Sequence, residues 1–87
     1  MHRTTERFWE CFNRLPQPVQ TISRRNFQLL KTDPMHPSLR FKKVGAVWSV
    51  RIGLNHRALA LEDGEDYIWV WIGSHDEYER MITDRRQ

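Results

Sequence analysis

The spacing of hydrophobic residues changes once along this chain, at Asp33-Pro34, and that change limits the possible folds more than any other feature. Before it, Phe8, Cys11, Phe12 and Leu15 recur at i, i+3, i+4 and i+7, with Glu6, Arg7, Glu10, Asn13 and Arg14 between them. This pattern predicts an amphipathic helix from Thr5 to Leu15, with Thr4 or Thr5 as its cap. Pro16-Gln17-Pro18 interrupts the chain, but a proline is tolerated in a first helical turn, where its missing N–H costs no bond. A second helix is therefore predicted from there to about Thr32. Val19, Ile22, Leu29 and Leu30 share its inner face with Phe27 at the edge, while Arg24, Arg25, Gln28 and Lys31 point outward. Asp33-Pro34 stops it, and Pro37 keeps the following segment extended.

From Leu39 the period is two. Leu39 and Phe41 alternate with Arg40 and Lys42, Gly45-Ala46 makes a turn, and Val47 to Ile52 places Trp48, Val50 and Ile52 on one face. Ser49 and Arg51 fall on the other, which is expected to be polar and open. A third strand, His56 to Leu61, leads into Asp63-Gly64, a hairpin signal. Tyr67 to Ile72 is apolar on both sides, as in a strand that is central or covered twice, and Gly73 is expected to end it. Ser74-His75-Asp76-Glu77 matches the S-x-x-E capping box, so a short helix should run to about Met81 or Ile82, with Asp84 to Gln87 fraying. The predicted fold is α+β, with two N-terminal helices packed on a four-stranded antiparallel sheet and a short C-terminal helix. It forms one domain over residues 1–87, with its core from about 5 to 82.

Eighty-seven residues leave room for a single core, and four Trp, four Phe and two Tyr supply it with large buried areas. The lone cysteine, Cys11, excludes an internal disulfide and a cysteine-based zinc site, and its place on an apolar helix face marks it as packing. His2, His36 and His56 are too scattered for metal-ligand spacing, so neither metal nor cofactor is expected. Charges interrupt the first twenty residues too often for a signal peptide or membrane span, which points to the cytoplasm. The net charge is only +3, yet no acid occurs from Pro34 to Leu61, where Arg40, Lys42, Lys43, Arg51 and Arg57 lie. Eight of the eleven acids lie from Glu62 onward, a segregation that can build a positive face for a polyanion. An ordinary solvated sheet face is the alternative.

Four stretches resemble the RelE/ParE toxin-antitoxin superfamily. They are Ser38-Leu39-Arg40-Phe41-Lys42-Lys43, Trp48-Ser49-Val50-Arg51-Ile52, His56-Arg57-Ala58-Leu59 and Trp71-Ile72-Gly73-Ser74-His75-Asp76-Glu77-Tyr78. The last is the most specific, because a Gly-Ser-His turn after the final strand is similar to the ending of YafQ-like members, where that histidine is catalytic. The resemblance implies a helical hairpin on an antiparallel sheet, and a toxin that cleaves mRNA, commonly on the ribosome, and is held by a cognate antitoxin. By position it implies catalytic roles for Arg51, Arg57 and His75. His56 replaces the tyrosine of the family's Tyr-Arg pair, Ser49 replaces a strand lysine, and Met81 replaces a tyrosine of the last helix, for which Tyr78 can substitute. The usual first strand is missing or reduced to Met1 to Thr4.

Metal-free RNA cleavage needs a group to take the 2′-hydroxyl proton, cations to stabilise the transition state, and an acid for the leaving oxygen. One histidine and two or three arginines can supply these. At the start of a helix the dipole disfavours the His75 imidazolium whereas Asp76 and Glu77 favour it, so its protonation stays open. Arg51 and Arg57 can share a sheet face and grip phosphate, or can pair with the acidic Glu62 to Asp66 hairpin. Arg40, Lys42 and Lys43 would position RNA electrostatically, and Tyr78 can stack on a base or belong to the core. A second function remains open beside the nuclease: a ParE-like poison of DNA gyrase that acts by protein contact and needs no catalytic side chain.

Overall fold

A computed structural model describes residues 1–85 of the chain. Strand β1 (His2–Thr4) is followed by helices α1 (Glu6–Asn13) and α2 (Gln17–Thr32), a 3₁₀ turn at Pro37–Leu39, strands β2 (Lys42–Val44), β3 (Val47–Ile52), β4 (His56–Asp63) and β5 (Asp66–Ser74), and helix α3 (His75–Arg85). Both predicted helical starts are built as the sequence implies. Thr5 Oγ1 accepts from the Phe8 N–H at 3.2 Å, and Pro18 lies in the first turn of α2. Thr5 Oγ1 also donates to the Trp69 carbonyl at 3.0 Å, which ties the start of α1 to β5.

The sheet is five-stranded and mixed, in the order β1-β5-β4-β3-β2, rather than four-stranded and antiparallel. The added strand, β1, runs parallel to β5 with His2 opposite Tyr67 and Thr4 opposite Trp69. Three residues are too short to show a period, so local pattern could not reveal it. Charge helps to hold it: Arg3 reaches Asp63 at 2.8 Å and Asp66 at 3.5 Å, and the N-terminal ammonium lies 3.3 Å from Asp66. Further boundaries differ from expectation: α1 ends at Asn13 rather than Leu15, and β4 runs on to Asp63 rather than stopping at Leu61. Leu39 and Arg40 are not strand: Leu39 closes the 3₁₀ turn and Arg40 adopts a left-handed conformation at φ 45°, so β2 begins only at Lys42. Gly73 does not end β5, which continues through Ser74. Helix α3 extends to Arg85, so Asp84 and Arg85 continue it, while residues 86 and 87 lie outside the described residues.

The two faces of the sheet carry two cores. On one face Phe8 and Phe12 of α1 and Leu30 of α2 pack onto Val50, Ile52 and Trp69 of the sheet, with Phe27 edge-on to Trp69 at 5.1 Å between ring centroids. The opposite face, expected to be polar and open, instead buries Val47, Leu59, Trp71 and Tyr78 beneath α3, with Met81 and Ile82 packed against them. Cys11 is half-buried and touches both clusters. A β-bulge makes this division possible. Leu59 pairs with Trp71 but the next residue, Ala60, pairs with Trp69, so Val70 is the extra residue and the alternation reverses there. Trp69 and Trp71, two positions apart, consequently enter different cores. Trp71 in turn requires Gly73: a Cβ there would lie 2.4 Å from an indole carbon of Trp71.

Candidate functional site

Cross-strand pairing builds the site. Arg51 on β3 stands opposite Arg57 on β4, and Arg57 stands opposite Gly73 on β5, so both arginines share the face covered by α3. Each guanidinium is anchored to a main-chain carbonyl, Arg51 Nε to Gly53 O at 2.8 Å and Arg57 Nη1 to His56 O at 2.8 Å. Asn26 on α2 donates to the Arg51 carbonyl at 3.0 Å, fixing the end of β3 from the other side. Among the described residues neither guanidinium has a carboxylate partner within 4.0 Å. The Glu62 to Asp66 hairpin, weighed as their counterion, is occupied elsewhere: Glu62 accepts from the Trp48 indole at 2.6 Å, and Asp63 and Asp66 hold Arg3.

Two like charges placed this way are costly, and Arg57 shows it. Partial burial, followed by the charge of Arg51, pushes its guanidinium below the ordinary value; Arg40 adds to this, while Tyr78 and Glu79 oppose it. Arg40, turned by its left-handed backbone, therefore contributes to the same positive field. Lys42 and Lys43 do not share a face of the sheet. Lys42 pairs with Ser49 and so lies on the arginine face, whereas Lys43 pairs with Trp48 and belongs to the opposite one.

His75 is the first residue of α3. Ser74 Oγ accepts from the Glu77 N–H at 3.2 Å and Glu77 Oε1 accepts from the Ser74 N–H at 3.3 Å, which is the capping box read from the sequence. The His75 N–H donates to the Asn55 carbonyl at 2.7 Å, joining the helix start to the β3–β4 turn. Leu54, Asn55, Arg57, Ser74 and His75 thus surround a cleft of about 250 Å³. The imidazole is 39% exposed and its Nε2 lies 3.2 Å from Glu79 Oε1. Tyr78 connects the parts: its ring centroid is 6.0 Å from that of His75 and 5.9 Å from the Arg57 guanidinium carbon. At 6% exposure Tyr78 belongs to the second core and leaves little ring face for a base, which corrects the stacking role weighed for it. His56 also borders the cleft, but it stands opposite Ile52 and Ser74, so its side chain leaves on the face away from the arginines. Burial lowers its pKa, against the opposing charge of Glu77.

The sequence reading missed Glu79. The only signal was its spacing, one helical turn after His75, and surface pairs at that spacing are too common to mark a site. Among the described residues no group of three His, Cys, Asp or Glu side chains is placed to hold a metal ion, and no helix is long and apolar enough to cross a membrane.

The arrangement can hold an anion and exchange a proton beside it. Comparison with known proteins places it in context. The profile of the ParE-like toxin domain matches residues 19–80. No protein of curated function matches the sequence. Among solved structures, the RelB–RelE antitoxin–toxin complex of Methanococcus jannaschii is similar with a TM-score of 0.71 at 12% identity, over 91% of this chain and 96% of that one. The YoeB/ParE toxin of Agrobacterium tumefaciens gives 0.64 at 16% identity, over 85% and 96% of the two chains. The isolated E. coli RelE toxin gives 0.62 at 10% identity, over 97% and 96%.

Proposed function

From the premise that this chain belongs to the ParE-like toxin domain family, we propose that it is the toxin of a toxin–antitoxin pair and acts as a metal-independent endoribonuclease on mRNA. The observation that carries this reading is the pair of opposed arginines, free of carboxylate partners among the described residues, beside the cleft that holds His75. A phosphodiester bound there would replace the missing counterion, since a planar guanidinium presents paired donors to phosphate oxygens. The 2′-oxygen attacks the adjacent phosphorus as its proton leaves, the bond from phosphorus to the 5′-oxygen breaks, and that oxygen takes up a proton. His75 supplies proton exchange, and Arg51 and Arg57 stabilise the charge that builds on the phosphoryl oxygens. Arg40 and Lys42 extend the positive field along which RNA is positioned. The same face is where a cognate antitoxin would act by covering it, and mRNA engaged on the cytoplasmic ribosome is the expected target.

A second reading has its own support. The matching profile is that of a ParE-like domain, and a gyrase poison acting by protein contact would need none of this chemistry. Primer extension on cellular mRNA after induction separates the two. New 5′ ends within minutes support the nuclease, whereas intact mRNA with DNA-damage signalling supports the gyrase poison.

A further inference from the structure

A second cleft, of about 280 Å³, opens between β1, α1 and α2, on the sheet face opposite the arginines. Its floor is aromatic, built from Phe8, Phe12, Phe27 and Trp69, with Phe27 edge-on to both Phe8 and Trp69. Trp9 stands at the rim, 40% exposed, its indole N–H donating to Thr4 Oγ1 at 2.9 Å. The polar groups around this floor are mainly donors. Arg24, Gln28 and Lys31 follow one another at i, i+4 and i+7 along α2 and so form one row beside the cleft. The Arg24 guanidinium carbon lies 4.9 Å from the Phe12 ring centroid. Among the described residues neither Arg24 nor Lys31 is in a salt bridge, and no acidic residue lines the cleft. His2 adds a further donor. Its Nδ1 accepts from the Trp69 indole N–H at 3.0 Å, so the neutral ring carries its proton on Nε2. Burial first, then the N-terminal ammonium and Lys31, favours that neutral ring.

We propose that this cleft binds a compact aromatic acid, with its ring on the aromatic floor and its carboxylate among Arg24, Lys31 and His2. An ionised carboxylate only accepts hydrogen bonds, and here it meets two cations and an imidazole N–H with no acid to oppose it. Charge thus selects an acid and excludes an amine of the same shape. The aromatic floor selects the body, since a bare acidic side chain has no ring to place on it. A volume of about 280 Å³ is at the small end of ligand sites, which fits a ring with a short acid arm rather than a nucleotide. The site lies on the face away from His75 and stands whether or not the chain is a nuclease.

Phenylacetate is the probe, titrated into the full chain at pH 7.5 and followed by ¹⁵N NMR. The indole N–H signals of Trp9 and Trp69 should move together, with a Kd on the order of 1 mM, the scale for a ligand of roughly ten heavy atoms. Phenethylamine, which keeps the ring and reverses the charge, should leave both signals in place. Arg24→Gln and Lys31→Gln should each weaken phenylacetate about threefold, the scale of one exposed ion pair. Gln28→Glu, which sets an acid in the row, should weaken it at least as much. All three side chains are exposed on α2, so these variants keep the fold. His75→Ala should bind phenylacetate as the wild type does. Indole signals that stay still, equal shifts with the amine, or unchanged affinity in the three α2 variants would each overturn the proposal. A peptide of one phenylalanine flanked by glutamates that moved both signals at lower concentration than phenylacetate would overturn it as well, by making the occupant a protein partner.

Discussion

Arg51 and Arg57 stand directly opposite each other on β3 and β4, and each is anchored to a neutral main-chain carbonyl rather than to an acid. Like charges placed opposite one another in a sheet are destabilising, so an anion that bridges them stabilises the fold. Sulfate should raise the Tm of the wild type more than that of Arg51→Ala or Arg57→Ala. Without sulfate either substitution should cost little, on the order of 1 kcal/mol or less, because the packing lost by the half-buried side chain is offset by relief of the like-charge repulsion. Equal sulfate responses in all three proteins would remove the anion site.

Lys42 and Lys43 provide a test of which face RNA uses. Lys42 shares the arginine face and Lys43 the opposite one. Lys42→Gln should weaken RNA binding similarly across sequences and reduce the slope of log affinity against log salt, whereas Lys43→Gln should leave both nearly unchanged. A larger effect at Lys43, measured by salt titration of binding, would move the interface to the helical face.

His75→Ala should abolish toxicity while leaving the fold intact. Acid–base assistance typically contributes about 10² to 10⁴-fold, which a growth assay reveals at once. Ser74→Ala is the companion measurement. Loss of the cap should cost about 1 kcal/mol in urea unfolding and reduce activity only by displacing His75. Full toxicity of His75→Ala, together with tolerated Arg51→Ala and Arg57→Ala, would make gyrase poisoning the preferred mechanism.

Gly73→Ala probes the second core. The new Cβ would meet Trp71 at 2.4 Å, and buried overpacking of this kind typically costs about 1 to 3 kcal/mol. Urea unfolding should show that loss. A Trp71→Phe change in the same background should recover part of it, because the smaller ring withdraws the clashing atoms. Unchanged stability in Gly73→Ala would mean that Trp71 occupies a different rotamer.

Acid should loosen the β1 edge. His2 Nδ1 accepts from the Trp69 indole N–H at 3.0 Å, a bond that protonation at that nitrogen would remove. Burial first, then the N-terminal ammonium and Lys31, hold the pKa of His2 below its ordinary value, so the folded state favours the neutral ring. The unfolded chain therefore takes up the proton first. Stability from His2 is complete above about pH 6.5 and declines as pH falls toward the lowered folded value. His56 is shifted in the same direction and adds to the decline. Melting curves from pH 7.5 to 5.5 should show Tm falling, and His2→Phe should flatten the slope; an equal slope in both proteins would assign the whole effect to His56.

The sequence by itself determined the features whose cause is a strong signal within one element. Helical spacing set α1 and α2, Asp33-Pro34 ended the helical half, and Ser74 with Glu77 capped α3. Arg51, Arg57 and His75 could be named from residue type and position in a family pattern. Tertiary structure alone decided what depends on pairing between distant segments. Strand β1 exists because β5 offers it an edge and Asp63 and Asp66 bind its charges. The bulge at Val70 sends Trp69 and Trp71 to opposite faces, which a strict period of two would have placed together. Register makes Arg51 and Arg57 neighbours, separates Lys42 from Lys43 and turns His56 away from them. Local backbone preference is encoded residue by residue, but which side chains meet across a sheet is fixed only when the strands align, and a shift of one residue would exchange the two faces.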